Sequence, residues 1–160
     1  MENKDIEAPY IRESVFSRNV NIRAIRLGAK ISQLLQKLAL TPADIPIHEF
    51  RILLSLARRG ATHLRKLAVY ASMDPAHVSR TVRQMEQKGW LTRRTSKEDA
   101  RLVVLCLTTE GRRTVDRALP AVIALDRDIS SVYAPNELEQ LLDLLDRGLR
   151  HADARLDEAT

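Results

Sequence analysis

Arg80 and Arg83 lie three residues apart in a stretch that also offers Ser79, Gln84 and Gln87. These are side chains suited to reading base edges. An arginine fork matches guanine O6 and N7, a glutamine amide can pair with adenine, and a serine hydroxyl bonds bases or phosphates. On a helical wheel, Ala76, Arg80, Arg83 and Gln87 share one face, with Ser79 and Gln84 on its flanks. Val78, Val82 and Met85 fall within about 60° of one another on the opposite face and form the expected buried stripe. Glu86 lies off to one side. Ala76 keeps the start of the helix slim enough to approach bases, and the helix N-terminus suits a phosphate oxygen. His77, on the shoulder, can touch a phosphate or be a plain surface residue. The bland alternative is an amphipathic helix with a solvated face.

A second basic cluster follows a few residues later. Arg93, Arg94, Lys97, Asp99 and Arg101 flank or occupy a polar tip between two β-prone runs. A basic loop beside a reading helix can reach a narrow minor groove, where negative potential favours an inserted arginine. Arg101 is the expected insert, with Asp99 bracing its guanidinium through a charge-assisted hydrogen bond. Arg93, Arg94 and Lys97 are expected phosphate contacts, which position without specifying.

These residues need a scaffold, and the chain supplies one. Residues 11–40 carry apolar residues at helical spacing and stop at Thr41-Pro42. A second helix, Ile47 to about Arg59, ends at Gly60. Thr62 is expected to cap a short third helix with Leu64, Leu67 and Ala68 inward. A turn at 71–73 leads to Asp74-Pro75, an N-cap followed by a proline at the first helical position. That helix runs to Lys88 and ends at Gly89. Trp90–Arg94 and Leu102–Leu107 then read as a two-stranded hairpin. Thr108 caps a long helix from Thr109 to about Ser130, with Pro120 as a kink. A last helix, about Pro135 to Arg155, carries Leu138, Leu141, Leu142, Leu145 and Leu149. Ala134 lacks a capping hydroxyl, so a loose start is expected there.

The predicted fold is mainly α with a small β-hairpin wing: a winged helix-turn-helix between N- and C-terminal dimerisation helices. The expected divisions are a flexible arm at 1–10, a dimerisation helix over 11–45, the winged domain over 46–108, and linking and C-terminal dimerisation helices over 109–160. The leucine stripe of the last helix and the apolar first helix call for a partner, and a homodimer is expected.

Charge agrees. The net charge is +5 over 160 residues. Residues 1–60 carry 10 Lys/Arg and 6 Asp/Glu, residues 61–101 carry 9 and 4, and residues 102–160 carry 7 and 11. The basic density therefore peaks in the reading segment, as expected of a nucleic-acid binder with a separate assembly region. No apolar run reaches the ~20 residues of a membrane span, and the polar start lacks an apolar signal core, so a cytoplasmic protein is expected. Cys106 is the only cysteine, which excludes an intrachain disulfide and a four-cysteine zinc site. Set in an apolar strand, it is expected to be an inert buried hydrophobe. Glycine-rich phosphate loops, a GxSxG elbow and an HExxH pair are missing, so no enzyme activity and no cofactor are expected.

The stretch THLRKLAVYASMDPAHVSRTVRQMEQKGWLTRRTSKEDARLVVLCLTTEG, Thr62–Gly111, resembles the MarR family of winged-helix regulators. Val78-Ser79-Arg80 and the Lys88-Gly89 ending are similar to the family's recognition helix. Asp99-Ala100-Arg101 is similar to its Asp-x-Arg wing motif, and Leu107-Thr108-Thr109-Glu110-Gly111 to its Leu-Thr-x-x-Gly entry to the next helix. The resemblance implies a homodimer on a pseudopalindromic double-stranded operator, repressing nearby genes until a small, often aromatic or phenolic effector releases it. By position in the family, His48 and Arg51 are candidates to meet a carboxylate or phenol. The alternative is an internal salt bridge at Arg51 and a surface His48. Two other functional readings stay open: a winged helix that binds protein rather than DNA, and an activator rather than a repressor.

Overall fold

In the computed structural model, which describes residues 19–96 and 102–158, the chain folds as six α-helices and one two-stranded antiparallel hairpin among those residues. The 1–10 arm, the start of the 11–40 helix and Lys97, Asp99 and Arg101 lie outside the described residues. Helix α1 spans Val20–Leu34, and the Asn19 side chain caps it by accepting from Ile22 N. The helix expected to reach residue 40 changes character first: Leu35–Leu40 winds as a π-helix and Thr41–Ala43 as a 3-10 turn. Gln36 uses this widened turn to reach across the corner. Its Oε1 accepts from Ile47 N at 2.7 Å and its Nε2 donates to Ile45 O at 3.2 Å. One side chain thereby satisfies the start of α2 (Ile47–Arg59), whose N-cap, Pro46, has no side-chain hydrogen bond to give.

Helix α3 (Leu64–Ala71) ends at Ser72, which takes a left-handed conformation with φ 51°. Thr62 does not cap it. Thr62 N donates to Leu105 O at 3.2 Å and Leu105 N donates to Thr62 O at 2.8 Å, adding a short bridge to the hairpin edge. The threonine backbone is thus held by a sheet contact, and cap position falls to His63, without a side-chain hydrogen bond. Helix α4 (Pro75–Gln87) starts as expected: Asp74 Oδ1 accepts from His77 N at 3.0 Å. Strands β1 (Leu91–Thr95) and β2 (Val103–Leu107) pair with Leu91 opposite Leu107 and Thr95 opposite Val103.

The core is one cluster. Phe50, Ile52, Leu53 and Leu56 of α2 meet Leu67 of α3, Val78, Val82 and Met85 of α4, and Leu91, Leu105 and Leu107 of the hairpin. The first part of α5 (Thr109–Ser130) joins this core through Val115 and Ala118. Its entry is locked to the base of the wing. Thr108 Oγ1 accepts from Gly111 N at 3.0 Å and donates to Gly89 O at 2.6 Å, while Thr108 N donates to Trp90 O at 3.1 Å. A Cβ on Gly111 would collide with the Trp90 carbonyl oxygen, so the position accepts only glycine without backbone movement.

Helix α6 (Pro135–Glu158) does not start loosely. Glu137 Oε2 accepts from Ala134 N at 2.8 Å, so the acid three residues on supplies the cap that Ala134 cannot. Leu142, Leu144, Leu145, Leu149 and Leu156 of α6 are exposed, as are Val20, Ile25 and Leu27 of α1. Cys106 is half-buried, not buried, because its place opposite Thr92 turns it away from the face occupied by Leu105 and Leu107.

Candidate nucleic-acid interface

Helix α4 presents its two faces as the wheel requires. Val78, Val82 and Met85 are fully buried. Ala76, His77, Arg80, Arg83, Gln84 and Gln87 are exposed, and Ser79 is half-buried. Thr81 is the residue the wheel missed. It lies beside the apolar stripe, is 2% exposed, and donates from Oγ1 to His77 O at 3.0 Å, which makes its burial affordable within the helix itself.

Two polar links tie α4 to its surroundings. Lys88, at the C-cap, points its Nζ at both oxygens of Glu49, each at 2.7 Å. Glu49 is 2% exposed, so this is a carboxylate beneath α4 with an ammonium as its lid. The same Nζ lies 4.7 Å from the ring centroid of Trp90. At the other end, the His77 ring meets His48 of α2 edge-to-face, with centroids 5.5 Å apart. Burial holds His48 below the usual imidazole range; the nearby His77 and Lys88 push the same way, and Glu49 opposes them.

The wing base is braced from α4. Arg93 donates from Nε and Nη2 to the two oxygens of Glu86 at 2.9 and 3.1 Å. Arg93 is therefore committed to a forked ion pair that sets β1 against α4, in addition to facing solvent. Arg94 is exposed. Ser96 N donates to Leu102 O at 2.8 Å, which brings the two ends of the 97–101 segment together. The basic wing thus springs from a strand fixed to the same helix that exposes Arg80 and Arg83.

His48 and Arg51 do not converge. His48 turns to His77, whereas Arg51 is exposed and donates from Nη2 to Ser32 Oγ of α1 at 3.2 Å. Neither alternative foreseen for them holds: Arg51 forms no ion pair among the described residues, and His48 is half-buried. Glu49 was not singled out in the sequence. A lone acid between apolar residues on α2, at a position the helical period buries, was the available signal.

Comparison with known proteins fits this geometry. Residues 45–103, from the start of α2 to the start of β2, match the MarR family model. The chain is 32% identical over 113 residues to the uncharacterized HTH-type transcriptional regulator YdcH of Bacillus subtilis, covering 67% of this chain and 77% of that one. The chain belongs to the MarR family. It is also 31% identical over 106 residues to the HTH-type transcriptional regulator PecS of Dickeya dadantii, covering 64% of each. Some curated relatives are spanned less fully: 53% of the length of another Bacillus subtilis regulator and 49% of a putative transcriptional regulatory protein of Thauera aromatica. Among solved structures, a MarR mutant from E. coli complexed with operator DNA superposes with a TM-score of 0.72 at 25% identity, covering 84% of this chain and 98% of that one. MarR-family members are transcriptional regulators rather than enzymes. Among the described residues, no helix is long and apolar enough to cross a membrane and no cluster of three metal-ligating side chains occurs.

Proposed function

We propose that the chain is a homodimeric, sequence-specific DNA-binding repressor that works in the cytoplasm and is released from its operator by a small molecule. The carrying observation is the outer face of α4: Ala76, Arg80, Arg83 and Gln87 are exposed together, while the opposite stripe is fully buried. Arg80 and Arg83 read bases, Ser79, Gln84 and His77 contact bases or phosphates at the flanks, and Arg94 and Lys97 hold phosphates. Arg101, braced by Asp99, enters the minor groove.

Dimerisation follows from surface left over. The exposed leucines of α6 and the exposed Val20, Ile25 and Leu27 of α1 form apolar faces that a monomer leaves in water. Reading two half-sites one DNA turn apart requires a two-fold pairing that holds the two α4 helices about 34–36 Å apart. A duplex selected from a random pool, followed by gel shifts at rising salt, tests the reading. Affinity should fall steeply with salt, as counterions are released, and Arg80→Ala should cost about 1–3 kcal/mol and relax base preference. Shallow salt dependence with wild-type affinity in Arg80→Ala and Arg83→Ala would defeat it.

A further inference from the structure

Two of the chain's four histidines meet where α2 begins and α4 begins. His48 is the second residue of α2 and His77 the third of α4, and their ring centroids lie 5.5 Å apart. An edge-to-face contact accounts for that spacing but not for the ring nitrogens. The hydrogen bonds at His77 run through its backbone: N donates to Asp74 Oδ1, and O accepts from Thr81 Oγ1. Among the described residues, neither ring makes a hydrogen bond through a nitrogen. Each neutral imidazole therefore keeps one nitrogen lone pair to give, and His48 keeps its own in a half-buried position.

Neutral imidazole is the commonest metal ligand among side chains, and it suits zinc and copper. Two imidazoles on one tetrahedral ion, at ~2.0–2.1 Å per Zn–N bond, place their ring centroids about 5 Å apart. The observed 5.5 Å is a small side-chain adjustment away. Each imidazole binds through a lone pair in its own plane, so two ligands of one ion need not be coplanar, and the 63° between the rings is no obstacle. Charge around the pair permits a cation. Burial favours the neutral form of His48. Glu49 and Lys88 also face it, but they are bonded to one another and together bring no net charge. Asp74, the cap of α4, adds a carboxylate at the same end of the helix. No third His, Cys, Asp or Glu among the described residues joins the pair, so the remaining positions on an ion fall to water.

We propose that His48 and His77 bind one divalent transition-metal ion, of the zinc or copper class, as a two-imidazole site completed by water. The site goes beyond the DNA-binding reading and stands without it. With two protein ligands it is open and exchanges its ion, unlike a closed four-ligand structural zinc site. A bound ion ties the start of α2 to the first turn of α4, and so stiffens the junction between a helix that carries the core and the helix that exposes Arg80 and Arg83.

Calorimetric titration of the metal-free full chain with zinc chloride, without DNA, tests the site. Zinc should bind once per chain and raise the thermal midpoint by mass action, and copper(II) should bind more tightly than zinc. His48→Gln and His77→Gln should each weaken zinc binding at least about ten-fold and abolish the rise in midpoint, since each removes one of two protein ligands. His63→Gln and His151→Gln, whose rings lie outside the pair, should bind zinc as the wild type does. Electron paramagnetic resonance of the copper(II) form should show coupling to two imidazole nitrogens in the wild type and to one in either pair variant. His77 is exposed, so His77→Gln should keep the wild-type circular dichroism and metal-free midpoint and serves as the test even where His48→Gln disturbs the fold. Undiminished zinc affinity in His77→Gln, or no binding to the wild type at about 1 mM zinc, overturns the proposal. Loss in His77→Gln with wild-type affinity in a folded His48→Gln assigns the ion to a single surface imidazole and overturns it as well. Because DNA is left out, failure here leaves the reading of α4 standing.

Discussion

Replacing Lys88 by methionine strips the lid from a buried carboxylate. Glu49 is 2% exposed and takes both of its short hydrogen bonds, 2.7 Å each, from Lys88 Nζ. Breaking a buried ion pair from one side costs about 3–5 kcal/mol, most of it the burden of an uncompensated charge. Here the lysine side chain is 41% exposed, so water reaches the ammonium end and softens the loss. The expected cost is therefore about 2–3 kcal/mol. The double variant Glu49→Met/Lys88→Met removes the charge as well and should return to within about 1 kcal/mol of the wild type. Urea denaturation at one fixed protein concentration measures both, since a dimer's stability depends on concentration. Lys88 also closes α4, so DNA affinity should drop in the single variant and recover in the double. A single variant within about 0.5 kcal/mol of the wild type, or additive single-variant effects in the cycle, would refute the account of Glu49 as a charge held by Lys88 alone.

Further outcomes are expected from other parts of the molecule. Gly111→Ala should destabilise by about 1–3 kcal/mol, opposite to the usual gain from replacing a helical glycine, because the new methyl meets the Trp90 carbonyl; thermal unfolding decides the sign. Burial disfavours the charged form of His48, so the folded chain binds fewer protons there than the unfolded one. That stabilising contribution is complete above the unfolded value of about 6.5 and is lost as pH falls through the lowered folded value. The urea midpoint should therefore drop between about pH 7.5 and about pH 5.5 more steeply in the wild type than in His48→Gln, and parallel slopes would contradict it. Arg101→Ala should weaken DNA binding most at sites with A·T-rich flanks, as read by gel shift on paired duplexes that differ only in those flanks.

Much of this architecture is legible along the chain because its signals are local. The Asp74-Pro75 cap, the turn at 71–73 and the span of α2 each depend on a handful of neighbouring residues, and each stands where periodicity and capping chemistry put it. The split of α4 into a buried and an exposed face is equally local, since a 3.6-residue period needs no knowledge of what lies opposite. Readings that failed did so where a distant segment competed. Thr62 is a plausible cap until Leu105 claims its backbone, and the helix that reaches Leu40 changes from α to π winding at Leu35, where Gln36 serves Ile45 and Ile47.

Sequence by itself determined which side chains share the outer face of α4, because residue type and helical period decide that face before any packing occurs. Only the tertiary structure decided how the face is held: Glu49 under Lys88, His48 against His77, Glu86 forked to Arg93, Gly111 beneath Trp90. Three of these pairs join different elements of the fold, across 29 and 39 residues in two of them and between α4 and β1 in the third, and the last ties the start of α5 to the wing base. Such contacts carry no periodic signature, since they exist only once the chain has brought separate elements within a few ångströms.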